Sequence, residues 1–240
     1  MFRALIIILY LAAVFVVSLP LYVIIPLIAK FNQSKADHMS QGFFCRALHR
    51  IAVISGVKLT VYGKENIPTD EASLFIGNHQ SYYDIITTYP EMIGLTGYIA
   101  KKEVDRVWLL KYWMRLGHCL TFDRDDPRNA MRMIKTAIEQ IKAGYSMFVF
   151  PEGTRSKDGI MGEFKEGTFK IATRTNCPIV PVAIRGTADV FEKHVPFVRP
   201  AHVTVAFGTP IRASEVPDEY RKHIGEYMKG RISEMLQQEQ

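Results

Sequence analysis

The 240-residue sequence predicts an α/β fold, with a central mixed sheet flanked by helices and an N-terminal helical membrane motif ahead of it. Three observations lead there. Short apolar runs recur along most of the chain, separated by segments of helical period. The long charge-free run lies at the N-terminus. The residues best suited to chemistry sit just after two of the apolar runs, where open α/β sheets place their sites.

Taken in order, residues 4–29 form a stretch of 26 positions without a charge, bounded by Arg3 and Lys30. A straight helix of that length spans ~39 Å against a hydrocarbon core of ~30 Å, so it is long enough to cross a bilayer. Pro20 and Pro26 argue against a straight helix. A break near Pro20 leaves about 24 Å before it, which predicts a kinked or half-embedded segment. The run is too long for the apolar region of a signal peptide, and no small-x-small cleavage site follows it. Next, Ala36, Met39, Phe43, Phe44, Ala47, Leu48, Ile51 and Ala52 recur at helical spacing, interspersed with His38, Arg46, His49 and Arg50. This predicts an amphipathic helix lying on a membrane or on the domain. Lys30, Lys35, Arg46 and Arg50 follow the apolar run and only Arg3 precedes it, which places the globular part on the cytoplasmic side.

Residues 57–62, 73–77, 97–100, 119–122, 146–150, 179–184 and 202–207 read as strands. Asp126-Pro127 opens a helix with a cap followed by proline in the first turn. Ala130, Ile134, Ala137, Ile138 and Ile141 mark its buried face, and Gly144 suits its end. A last helix is expected from near Pro217 toward Gln240. These elements divide the chain into an N-terminal part, 1–55, and an α/β domain, 56–240.

A net charge of +6 calls for an anionic partner, either nucleic acid or an anionic membrane. No nucleic-acid motif is present, and the apolar N-terminus argues for lipid. Cys45, Cys119 and Cys177 lie far apart and match no metal or redox spacing, so they read as free thiols in a reducing compartment. His118 beside Cys119, and the isolated His194, His202 and His223, supply no zinc pattern, so no metal is expected.

The chemistry concentrates in two windows. Asn78-His79-Gln80-Ser81-Tyr82-Tyr83-Asp84 places a base and a carboxylate five residues apart. On one continuous helix they would point about 140° away from each other, so His79 must precede a helix that has Asp84 in its first turn. There the carboxylate can fix the imidazole tautomer and stabilise the imidazolium. The same residues also fit a capping box, Ser81 accepting from a first-turn amide and Asp84 reaching back. The second window is Phe150-Pro151-Glu152-Gly153-Thr154-Arg155-Ser156. Arg155 there, and Arg124 in Phe122-Asp123-Arg124, carry the planar fork that fits phosphate oxygens. Gly153 permits close backbone approach to a ligand, and Thr154 and Ser156 offer hydroxyl donors.

His79 with Asp84, Phe122-Asp123-Arg124, the 150–156 window and Val180-Pro181-Val182-Ala183-Ile184 together resemble, in order, the four sequence blocks of the glycerolipid acyltransferases, which include the 1-acylglycerol-3-phosphate O-acyltransferases. The resemblance implies an N-terminal two-helix membrane-anchoring motif over 1–55. It also implies that Glu152, Gly153, Arg155 and Arg124 belong to the acceptor phosphate site and that Lys101 holds a position similar enzymes often fill with lysine. The bland reading of Lys101 is a solvated charge.

Acyl transfer from a thioester has a good leaving group, with a pKa near 8.5, and a poor nucleophile, so deprotonation of the attacking hydroxyl is what an enzyme must supply. His79 suits that base role and Asp84 its orientation. Ser81 is explained by capping, so direct transfer without an acyl-enzyme is expected, with Lys101 a candidate for the oxyanion. The reading that results is transfer of a fatty acyl group from acyl-CoA or acyl-carrier protein to lysophosphatidate, giving phosphatidate at a membrane, with no cofactor. Other acceptors (glycerol 3-phosphate or another lysophospholipid), a thioesterase, and an inert lipid-binding protein are the alternatives.

Overall fold

The computed structural model describes residues 2–123, 126–156 and 159–238. All seven expected strands are present: β1 (Lys58–Tyr62), β2 (Leu74–Gly77), β3 (Thr96–Lys101), β4 (Leu120–Phe122), β5 (Ser146–Val149), β6 (Ile179–Arg185) and β7 (His202–Phe207). They form one sheet in the order β1-β7-β6-β2-β5-β3-β4. Every neighbouring pair is parallel except β6 with β7, so the sheet is mixed, as expected.

The central strands are apolar runs because both of their faces are covered. On β2, Leu74 and Ile76 face a cluster formed with Ala137, Ile138, Ile171, Met228 and Ile232, while Phe75 faces a second cluster with Phe44, Tyr83 and Tyr89. Alternation of side chains along a strand puts one set on each face. The first cluster belongs to α6 (Pro127–Lys142), α7 (Lys170–Thr175) and α8 (Ile224–Gln238), the second chiefly to α3 (Gln33–Ser55) and α4 (Tyr83–Thr88). Pro181 sits in the middle of this sheet without harm. Its carbonyl accepts from Gly208 just beyond the end of β7, so its missing N–H points to the side where no ladder partner remains.

Helix α6 begins as expected, the Asp126 carboxylate accepting from the Arg128 amide at 2.9 Å. The last helix begins later than expected. Pro217 has an extended ψ of 143°, a short 3-10 turn follows at Asp218–Tyr220, and α8 starts only at Ile224, where the buried spacing Ile224, Met228, Ile232 sets in. Helix α5 (Trp108–Leu116), which the sequence reading did not anticipate, lies between β3 and β4.

The charge-free run is two helices, α1 (Phe2–Ser18) and α2 (Leu21–Ala29), bent by 48° at the expected proline break, and among the described residues no single helix is long and apolar enough to cross a membrane. One side of the pair is tied to the protein. Arg3 donates to the Ile54 carbonyl, Tyr112 donates to the Tyr22 carbonyl, and Trp113 donates through Nε1 to Ser18 Oγ at 3.0 Å. The other side leaves Leu5, Ile8, Leu9, Val16, Val17 and Val23 exposed.

Helix α3 settles the alternative left open for it: its inner face lies on the domain. Beyond its apolar residues, one buried acid fastens it. Asp37 accepts from Tyr145 Oη and Gln33 Nε2 and pairs with His118 Nε2, at 2.7, 2.8 and 2.7 Å. Burial, followed by the hydrogen bond to Asp37, pushes the Tyr145 phenol up to about 12. Helix α3 ends at Ser55, closed by Gly56 at φ 78°. Replacing Asp37 by alanine strands these donors at a cost of about 1–3 kcal/mol. The expected result is a thermal midpoint lowered by about 2–12 °C, read by circular dichroism.

Candidate active site

Three adjacent parallel strands, β6, β2 and β5, deliver the site from their C-terminal ends. β2 ends at Gly77, and Asn78 locks that end to β6, its side-chain amide donating to the Ile184 carbonyl and accepting from the Ile184 amide at 2.9 and 2.8 Å. His79 follows outside any helix, and Asp84 lies in the first turn of α4, as the five-residue spacing requires.

Asp84 is completely buried. Its Oδ2 takes the backbone amides of Gln80 and Ser81 at 2.7 and 2.9 Å and lies 2.7 Å from His79 Nδ1. Its Oδ1 accepts from Thr187 Oγ1 at 2.5 Å. Ser81 Oγ meanwhile accepts from the Tyr83 amide at 2.9 Å. The same carboxylate therefore both holds the turn and orients the imidazole. Because Oδ2 can only accept, Nδ1 carries the hydrogen. Nε2 is then the unprotonated nitrogen of the neutral ring. It makes no hydrogen bond among the described residues, and His79 lines a large cleft.

The 150–156 loop grips His79 rather than merely facing it. Phe150 stacks on the imidazole with ring centroids 4.2 Å apart. Glu152 Oε1 accepts the His79 amide at 2.7 Å, and Ser156 donates its amide to the His79 carbonyl at 2.8 Å. Glu152 Oε2 accepts from the Gly162 amide at 2.8 Å. Both oxygens of this buried carboxylate are thus held by backbone, and it forms a bracket between the two motifs. Burial pushes its pKa up, against the opposing pull of those two amides. The Gly153 amide closes a turn onto the Phe150 carbonyl at φ 66°, and both residues line the cleft. Thr154 is exposed on the cleft, its hydroxyl without a hydrogen bond among the described residues.

Arg155 lies over the Tyr82 ring, 3.9 Å from its centroid, and its Nη1 donates to Glu192 Oε1 at 2.9 Å. Glu192, on the segment between β6 and β7, also accepts from the Tyr82 amide at 2.9 Å and from Ser81 Oγ. Lys101 ends β3. Register places Tyr98 level with Phe148 and Phe148 level with Phe75, so Lys101 stands at the height of Asn78, two strands or about 10 Å to the side. It lines the same cleft as His79 and has no hydrogen-bond partner among the described residues. Arg124 lies outside the described residues. The structure therefore unites His79, Asp84, Lys101, Glu152, Gly153, Thr154 and Arg155 in one place.

Sequence reasoning missed Asn78, Thr187 and Glu192. Asn78 stood inside the motif, where a polar residue immediately after a buried strand signals a clamp. Thr187 and Glu192 lie more than 100 residues away and carry no local signal. The cleft occupies about 1690 Å³ and has, besides the polar group around His79 and Arg155, an apolar end where Phe44 and Trp113 pack together next to Met114. Among the described residues no group of His, Cys, Asp and Glu is arranged to hold a metal ion. Burial pushes the Cys119 thiol, also on the cleft, up to about 11, so it is protonated at neutral pH and is a poor nucleophile.

An imidazole oriented by a buried carboxylate, its Nε2 without a hydrogen bond among the described residues, thus stands in a cleft at the strand ends of an α/β sheet. Residues 58–185 match the family described as Acyltransferase, and the chain belongs to it. It is 33% identical over 192 residues to the chloroplastic 1-acyl-sn-glycerol-3-phosphate acyltransferase BAT2 of Brassica napus, covering 78% of this chain and 55% of that protein. It is 34% identical over 170 residues to a probable 1-acyl-sn-glycerol-3-phosphate acyltransferase of Mycoplasma pneumoniae, covering 66% of this chain and 63% of that one. The chain thus spans less than two thirds of the length of these relatives. The crystal structure of the 1-acyl-sn-glycerophosphate acyltransferase PlsC from Thermotoga maritima superposes with a TM-score of 0.73 at 26% identity, over 97% of each chain.

Glu152→Gln retains one acceptor and turns an amide nitrogen toward a backbone N–H. The expected loss is about 1–3 kcal/mol of stability, with activity falling as His79 loses its bracket. Thermal unfolding together with turnover checks this, and the variant should match wild type in neither.

Proposed function

We propose that the protein transfers a fatty acyl group from acyl-CoA or acyl-carrier protein to the free hydroxyl of lysophosphatidate, producing phosphatidate. The single observation that carries the reading is the pairing of an oriented base with a cationic fork in one cleft, His79 held by Asp84 and Arg155 held a turn away. Nε2 of His79 removes the hydroxyl proton as the oxygen attacks the thioester carbonyl. The tetrahedral intermediate bears its charge on the former carbonyl oxygen, where the Lys101 ammonium supplies compensation. Collapse breaks the carbon–sulfur bond, and the departing thiolate takes the proton from the imidazolium. Asp84 stabilises that imidazolium while it lasts.

Arg155, and Arg124 with it, bind the acceptor phosphate, and Thr154 adds a hydroxyl donor. Glu152 and Gly153 shape the loop that presents them. The apolar end of the cleft suits acyl chains. The unpartnered flank of α1 and α2 suits the membrane that holds both lipid substrates, with the basic residues that follow keeping the domain on the cytoplasmic side. The relatives named as 1-acyl-sn-glycerol-3-phosphate acyltransferases support this choice of acceptor.

His79→Ala should lower turnover of lysophosphatidate with acyl-CoA by at least 10²- to 10⁴-fold, the usual worth of a general base, while membrane association persists. Product measured by mass at the wild-type rate would exclude the mechanism. Arg155→Ala should raise the acceptor KM about tenfold or more, the loss of a charge-assisted hydrogen bond, and leave the donor KM in place. Removing residues 1–30 should shift the protein from the floating vesicle fraction toward the bottom of the gradient in a flotation assay. A truncated chain that floats entirely with lipid would assign the anchor to α3.

A further inference from the structure

Glu192 belongs to none of the sequence motifs, yet it touches both halves of the site. One carboxylate accepts three hydrogen bonds, from the Tyr82 amide, Ser81 Oγ and Arg155 Nη1. The first two hold it against the turn that carries His79 and Asp84. The third neutralises the cation best suited to an acceptor phosphate. A phosphate bound to Arg155 would meet this carboxylate directly, and close like charges oppose binding strongly. The arrangement resolves that conflict because each partner has a second hold. Glu192 keeps two donors if it lets Arg155 go, and Arg155 keeps the Tyr82 face 3.9 Å beneath it. With the side chains of Arg155 and Glu192 36% and 19% exposed, the pair is also a weak one that solvent screens.

We infer that Glu192 is a displaceable counter-ion for Arg155: the phosphomonoester of the acceptor takes its place on the guanidinium, and Glu192 reclaims the guanidinium when product leaves. The inference rests on the lysophosphatidate reading above. Its consequence is kinetic. Acceptor and product carry the same phosphate, which takes no part in the bond that forms, so strength at Arg155 is uniform binding that holds product as firmly as substrate. Glu192 is a positioning residue that tempers this strength and keeps the site turning over.

The test uses the full chain in mixed micelles with lysophosphatidate and acyl-CoA. Glu192→Gln keeps an oxygen for the Tyr82 amide and removes the charge. Expected are an acceptor KM and a phosphatidate inhibition constant that both fall about threefold to fivefold, the worth of an exposed ion pair, with the donor KM unmoved. In an Arg155→Ala background the same substitution should change neither constant. An unchanged or raised acceptor KM in folded Glu192→Gln overturns the inference, as does a fall of equal size without Arg155, which would mean plain repulsion. Should Glu192→Gln fail a thermal melt, Glu192→Asp, too short to span the turn and Arg155 together, is held to the same outcomes. A wild-type protein that does not acylate lysophosphatidate overturns this inference together with the proposed function. Wild-type turnover without the Glu192→Gln fall overturns this inference alone.

Discussion

The structure around the site depends on one buried carboxylate. Asp84 has no solvent contact, so every lone pair it presents must be met from within the protein. Two amides of its own turn, the imidazole of His79 and the hydroxyl of Thr187 meet them. These donors come from the end of β2, the start of α4 and the segment beyond β6. Satisfying the charge therefore fixes the position of all three. A base oriented in this way is a by-product of a requirement that folding already imposes, because the same hydrogen bonds that make the burial tolerable also set the tautomer.

Around that centre the motifs hold each other. Glu152 and Ser156 clasp the backbone of His79 from above and below, Phe150 covers its ring, and Asn78 ties its strand to β6. Several residues that look like ligands in a linear reading are thus occupied with positioning one another. Among the groups left facing the cleft are Nε2 of His79, the hydroxyl of Thr154 and the Lys101 ammonium, with the Arg155 guanidinium held by Glu192 and Tyr82.

Much of this was legible in the sequence. All seven strands were, because the sheet buries both faces of its central members and leaves continuous apolar runs, and the five-residue spacing alone placed His79 outside α4. The break at Pro20 was legible for the same local reason. What the sequence hid was non-local. Whether Glu152 meets a ligand or an amide depends on where Gly162 and His79 lie in space, and Thr187 and Glu192 join the site only because β6 lies beside β2. The late start of α8 was hidden because Pro217 opens both helices and extended turns, and only the packing of Ile224, Met228 and Ile232 decides between them.

The adjacency of β2 and β5 separates two kinds of distance. His79 and Glu152 are 73 residues apart along the chain, but they emerge from neighbouring parallel strands paired at Ile76 and Val149, a spacing of about 5 Å set by the peptide hydrogen bond. Between them the chain runs through α4, β3, α5, β4 and α6, and adds β3 and β4 to the same sheet beyond β5. The chain of α5, β4 and α6 can therefore be lengthened or reshaped without disturbing the contact between His79 and Glu152, because that contact is set by the pairing of β2 with β5 alone.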